Sequence, residues 1–267
     1  MIKSELPSDS VTEPKAARPS FFERHPVWTS VLSIVVLVLA YGVSGAVLMR
    51  RGIADISPVL VPNLVIGLGI VAYLAIRRRQ RELFWQRPQG FAKAAWVYGA
   101  LGVILLMTAV GSWISAGGFQ VDGLGRLGYY LLLALGVGLL EELLFRGILV
   151  RAWMRKGERF AVVVSSVLFG VVHLSQLMGG QTGVLTILQI VFAAVWGFAM
   201  ANLVVASRSV WFAVAFHALY DFVQLITTSP NASNTESALD VLSLVNVAVQ
   251  IALLFGVGIV LWRSRRR

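Results

Sequence analysis

The chain has 267 residues, 57% of them hydrophobic and only 13% charged, so its main solvent is lipid and a water-soluble core is not the expectation. Its formal net charge of +10 would suit nucleic acid, but the basic residues sit at helix ends facing one compartment, where anionic headgroups attract them. No nucleic-acid partner is expected, and the absence of cysteine excludes disulfides and thiolate chemistry.

Residues 1–26 mix both charges with Pro and Ser and carry no short apolar run of the signal-peptide kind, which predicts a disordered cytoplasmic arm ahead of an uncleaved anchor. Apolar runs long enough to cross a ~30 Å hydrocarbon core then follow at 27–49, 56–76, 94–114, 127–150, 160–178, 184–205, 210–227 and 239–262. These predict an all-α, polytopic membrane bundle of about eight transmembrane helices. With that numbering, 20 of the 23 Lys and Arg residues fall on one side, in the two tails and alternate loops; only Arg50, Arg51 and Arg126 fall on the other. The positive-inside rule therefore places both termini in the cytoplasm of a multi-pass protein in the cell membrane, with anionic lipids at the basic loops. The stretch 77–87, where arginines alternate with Leu83, Phe84 and Trp85, reads as a short interfacial helix. No internal repeat is visible, so 27–262 is taken as one integral-membrane domain, followed by a basic tail at 263–267.

Ionisable side chains inside lipid are expensive and usually functional. Here they gather in three spans: Glu141, Glu142 and Arg146 in the fourth, His173 in the fifth, His217 and Asp221 in the seventh. At 1.5 Å per residue from the cytoplasmic edge, the glutamates lie ~14 Å deep, His173 ~20 Å, and His217 and Asp221 ~10 and ~16 Å. Side chains at a common depth are expected to face one another across the bundle interior. Glu142 and Arg146, four apart, suit a structural ion pair. Glu141, turned about 100° from Glu142, has no such partner and is free to act as a proton acceptor. Singly, each group has a plainer explanation. A Glu–Arg pair can cap a helix, His173 can bond its own backbone, and His217 with Asp221 can form a local i, i+4 contact.

Taken in order, Glu141-Glu142-Leu-Leu-Phe-Arg146, Phe169-Gly-Val-Val-His173 and His217-Ala-Leu-Tyr-Asp221 resemble the motifs of the CPBP family of intramembrane proteases. That family is named for its CAAX prenyl endopeptidase and bacteriocin-processing (Abi-like) members. The resemblance spans roughly residues 139–222, where the core motifs lie, and bacterial members are similar also in Phe145-Arg146-Gly147 and Ser165-Ser166. It implies hydrolysis of a peptide bond in a membrane-associated peptide or protein. Glu141 and His173 would activate water, with His217 and Asp221 assisting at the carbonyl. Many members carry Asn where this chain has Asp221, an acceptor when ionised, which is accordingly expected to orient His217. Glu141, His173 and His217 also make a ligand set acceptable to a divalent metal such as zinc, so glutamate-type and metal-dependent mechanisms both stay open. The substrate, the use of prenylated substrates and the pathway are not legible. Other classes to weigh are a transporter or proton relay built on the same ionisable groups, which lacks the repeat such proteins share, and a non-catalytic immunity or scaffold protein of this fold. The glycine-rich loop 178–183 reads as a turn or, alternatively, a mobile gate.

Overall fold

The computed structural model describes residues 21–53, 55–76, 84, 95–116, 118–227 and 241–264. Apart from Phe84, the expected interfacial helix at 77–87 lies outside these residues, as do positions 1–20 and 265–267 of the two tails. The last part of the arm expected to be disordered is helical instead: α1 (Phe21–Arg24) leads directly into α2 (Pro26–Arg50). Glu23 of α1 explains the order, because its carboxylate lies 2.9 Å from the Arg151 guanidinium and fastens this turn to the bundle.

The other helices are α3 (Leu60–Ile76), α4 (Ala95–Ala116), α5 (Gly123–Glu142), α6 (Val150–Trp153), α7 (Glu158–Val172), α8 (Gly183–Ser207), α9 (Trp211–Thr227) and α10 (Val241–Ser264). A π-helical segment, Leu143–Leu149, joins α5 to α6; 3₁₀ turns follow α6 at Met154–Lys156 and α7 at His173–Gly179. Helices dominate because lipid offers the backbone no hydrogen-bonding partner, so each apolar run must satisfy its own N–H and C=O groups. The protein is an all-α, multi-pass membrane bundle. Among the described residues five helical stretches are long and apolar enough to cross a membrane: Pro26–Arg50, Trp96–Ile114, Glu158–Leu177, Gly183–Ser207 and Ser243–Ser264. Leu60–Ile76 and Trp211–Thr227 are shorter apolar helices. The eight-helix expectation is therefore met in architecture and not in number. The run at 127–150 is not among the five; there the α-helix ends at the glutamate pair and gives way to the π-helical segment.

The bundle is organised around α8, packed against α7 and α10, and around the pair α5–α9, flanked by α3 and α4. Its core includes Leu140, Phe145, Phe169, Trp196, Met200 and Phe216. Two glycines set the closest crossings. A Cβ added at Gly138 would stand 2.9 Å from the Ala218 nitrogen and 3.1 Å from the Val214 oxygen, so α5 and α9 meet backbone to backbone one turn from Glu142 and His217. At Gly170 an added Cβ would lie 2.8 Å from the Ile190 oxygen, which fixes the α7–α8 approach in the same way. Small residues at such crossings are how membrane helices gain dispersion contact without a hydrophobic driving force. The 178–183 loop is a turn, with Gly180 in the left-handed region at φ 86°. In contrast, α2 is peripheral: only 6% of its most apolar stretch is buried.

Candidate active site

Glu142 lies at the end of α5 and is fully buried, as is Arg146. The Arg146 Nε approaches Glu142 Oε2 at 3.2 Å, the expected i, i+4 ion pair. The other carboxylate oxygen is also engaged: His217 Nδ1 donates to Glu142 Oε1 at 2.8 Å. One buried carboxylate thus holds a cation from its own helix and an imidazole from α9. The guanidinium also sits over the Phe169 ring, 4.0 Å from its centroid, a cation–π contact that shields the charge from lipid.

Arg146 reaches this place from within the π-helical segment, nearly all of which is buried. A π-turn widens the helix and is common at functional sites. Here the Phe145 carbonyl accepts the Ser165 hydroxyl of α7 at 2.7 Å as well as the Val150 N–H, so the irregular backbone is paired and tied to the neighbouring helix.

Because Glu142 takes the Nδ1 side of His217, Nε2 is the atom left to face the site. Glu141 Oε2 lies 3.8 Å from it and Asp221 Oδ2 3.7 Å, both ion-pair rather than hydrogen-bond contacts. Asp221, expected from the sequence to orient His217, thus lies at the longer distance, and the short bond to the imidazole is made by Glu142. Glu142 comes to the imidazole from α5, whereas Asp221 shares α9 with His217 and lies nearer its other nitrogen. Exposure sorts the same groups: the side chains of Glu141 and Asp221 are 14% and 27% exposed, that of Glu142 is 0%. Glu142 is sealed, whereas Glu141 and Asp221 keep part of their side chains exposed, although the Glu141 Oε2 that faces His217 is itself buried.

His173 occupies the junction between α7 and its 3₁₀ turn, and its Nδ1–H donates to the Phe169 carbonyl at 2.7 Å. The plainer role considered for a lone histidine, bonding its own backbone, is thus fulfilled, and it leaves Nε2 available. The Phe169 ring meets both imidazoles edge-on, with centroids 5.1 Å from His173 and 6.1 Å from His217. His173 lies within electrostatic reach of His217 and Asp221. Trp196 of α8, 2% exposed, closes the far wall, with its ring 5.3 Å from His217, 4.9 Å from Phe216 and 4.8 Å from Tyr220. Spacing gave no sign of Trp196, a single tryptophan in an apolar run.

Among the described residues no three His, Asp or Glu side chains are grouped so as to hold an ion, so the Glu141–His173–His217 ligand set is not assembled here. His217 Nε2 faces the Glu141 and Asp221 carboxylates, and His173 stands at the end of a different helix. No step below is routed through a metal.

All six ionisable groups lie between the start of α5 and the middle of α9. Residues 123–223 match the Type II CAAX prenyl endopeptidase Rce1-like family. No curated protein and no solved structure matches the chain. The Rce1-like segment begins at the first residue of α5 and takes in the π-turn, α7, α8 and the face of α9 that carries His217 and Asp221. Helices α2, α3, α4 and α10 lie outside it. At family level, the Rce1-like match within a multi-pass membrane bundle supports a hydrolase of the intramembrane protease type.

Proposed function

We propose that the protein is an intramembrane endopeptidase that hydrolyses a peptide bond in a membrane-associated polypeptide. The observation that carries this reading is the placement of His217, held at Nδ1 by the buried Glu142 while Nε2 faces the more accessible Glu141.

In this reading Glu141 accepts a proton from water, and the resulting hydroxide attacks the substrate carbonyl carbon. His173 Nε2 helps hold that water, its ring fixed by the bond to Phe169. The tetrahedral oxyanion receives a hydrogen bond from protonated His217 Nε2, with Asp221 alongside. Glu141 then passes its proton to the departing amine as the C–N bond breaks, which restores the carboxylate. Glu142 and Arg146 act through His217 and are positioning residues.

The substrate is a polypeptide in or against the bilayer, since the site is built within apolar spans. We further propose eight crossings, counting the two shorter helices and α5 with its π-turn beside the five long ones. Residues 27–262 form the membrane domain, both termini are cytoplasmic, and the basic loops meet anionic lipid.

The test is cleavage of a mixed set of membrane peptides by purified protein in nanodiscs, comparing wild type with Glu141→Gln, with and without chelator. Cleavage lost in the variant supports the reading. Absence of cleavage by wild type, with substrate-dependent proton flux in liposomes, overturns it in favour of a transporter.

A further inference from the structure

Trp196 is the single tryptophan of α8, and its ring is held from two sides by α9. It stacks on Phe216 at 4.9 Å with an interplanar angle of 13°, and Tyr220 lies across it at 4.8 Å and 58°. Tyr220 is itself fastened, since its hydroxyl donates to Gln250 Oε1 of α10 at 3.2 Å. The indole is therefore a fixed plate, and ring packing sets the direction of its N–H.

Polar pairing at that plate is unfinished. Trp196 Nε1 is buried and has no hydrogen-bond partner among the described residues. A buried indole N–H ordinarily finds an acceptor, and leaving one idle is costly. The acceptor within its reach is the Glu142 carboxylate. That carboxylate has capacity to spare. Its Oε1 accepts from His217 Nδ1, while Oε2 meets Arg146 Nε at 3.2 Å as an ion pair and accepts no hydrogen bond among the described residues. An ionised carboxylate offers about four lone-pair sites. A buried donor without an acceptor thus stands within reach of a carboxylate with an oxygen to spare.

We infer that Trp196 is a positioning residue whose Nε1–H closes onto the Glu142 carboxylate and, through it, fixes the imidazole of His217. Its effect on turnover rests on the endopeptidase reading; the contact itself does not. Glu142 is then gripped from three elements, by Arg146 of the π-helical segment, His217 of α9 and Trp196 of α8. A bond from an N–H to an ionised acceptor is stronger than one between neutral groups, and each donor added to a buried carboxylate restricts its rotation further. The Trp196 ring, 5.3 Å from that of His217, supplies a wall as well. The two contributions are separable, because one nitrogen carries the first and the whole ring the second.

The experiment replaces Trp196 by 3-benzothienylalanine, which keeps the bicyclic outline and puts sulfur where the N–H was, with Trp196→Phe as a second variant. Both are compared with wild type in detergent by peptide cleavage and by the His217 Nδ1–H proton resonance, which can be followed because the chain has only three histidines. We expect the benzothienyl protein to keep Tm and KM near wild type, while kcat falls about three- to thirtyfold and the His217 resonance shifts or broadens. Trp196→Phe should change kcat and the resonance in the same way at a lower Tm; if it does not fold, the benzothienyl protein decides alone. Unchanged kcat and resonance in the benzothienyl protein overturn the inference. A raised KM with kcat unchanged also overturns it and leaves Trp196 as a wall. So does a fall in kcat with an unmoved resonance, because the effect then bypasses Glu142. If wild type cleaves nothing while the resonance still moves, the endopeptidase reading falls and the hold on Glu142 stands.

Discussion

His217 and Glu142, 75 positions apart in the chain, are joined by a 2.8 Å hydrogen bond from Nδ1 to Oε1 in a site where the carboxylate is wholly buried. The bond turns the other imidazole nitrogen toward Glu141 and Asp221, and it gives the second glutamate of the pair two partners, His217 and Arg146.

Arg146→Ala is expected to destabilise the protein by about 3–5 kcal/mol, because it leaves the buried Glu142 charge without its cation. The Phe169 ring also loses the guanidinium above it. Thermal unfolding of purified protein in detergent should show a lower Tm, with reduced accumulation in membranes. A Tm equal to wild type would mean that the ion pair is not structural.

Glu141→Gln should behave in the opposite way. It keeps shape and much of the hydrogen bonding, and the residue it replaces is not in a short bond. Tm is expected to stay within about 2 °C of wild type, while cleavage falls by at least ~100-fold. A folded and fully active variant would remove Glu141 from the mechanism.

Asp221→Asn and Glu142→Gln separate the two candidates for orienting His217. Since Glu142 makes the short bond and Asp221 lies at 3.7 Å, Asp221→Asn should retain activity within about tenfold, whereas Glu142→Gln should lose ~100-fold or more. Peptide cleavage rates at saturating substrate decide the order. A larger loss in Asp221→Asn would return the orienting role to the aspartate.

Gly138→Ala tests the crossing that carries the site. The new methyl would meet backbone atoms of α9 at 2.9 and 3.1 Å, and backbone cannot move aside as a flexible side chain can. A loss of about 1–3 kcal/mol is expected. Gly69→Ala, where nothing lies within 4 Å of the added carbon, is the control and should leave Tm unchanged or slightly raised.

Chemistry was more legible in the sequence than geometry. Burying a charge in lipid is costly enough that Glu141, Glu142, Arg146, His173, His217 and Asp221 stand out against their apolar neighbours, and the i, i+4 rule predicts the Glu142–Arg146 contact. The partner of His217 was not legible, because helical spacing relates residues on one helix and says nothing of contacts between α5 and α9. Spacing points to Asp221, four residues away, whereas the short bond comes from Glu142 on another helix. Trp196 escaped notice because it carries no charge. For a metal, ligand type can be read from a sequence, whereas the meeting of three helices cannot. The expected spans differ from the five long apolar helices at three places: Leu60–Ile76 and Trp211–Thr227 are shorter, and at 127–150 the helix changes its winding after the glutamate pair.

That change of winding reaches past the site. An α-helix turns about 100° per residue, so the wider turns at Leu143–Leu149 rephase everything after them relative to everything before. Upstream, the faces bearing Gly138 and Glu142 are committed to α9; downstream, Trp153 Nε1 donates to Ser30 of α2 at 3.0 Å, and Arg151 holds Glu23. The π-turn acts as a phase shifter in one continuous rod, letting its two ends keep separate neighbours that a uniform pitch could not serve at once. A one-residue deletion there would shorten the rod by only ~1.5 Å yet swing its far end about a quarter-turn away from α2.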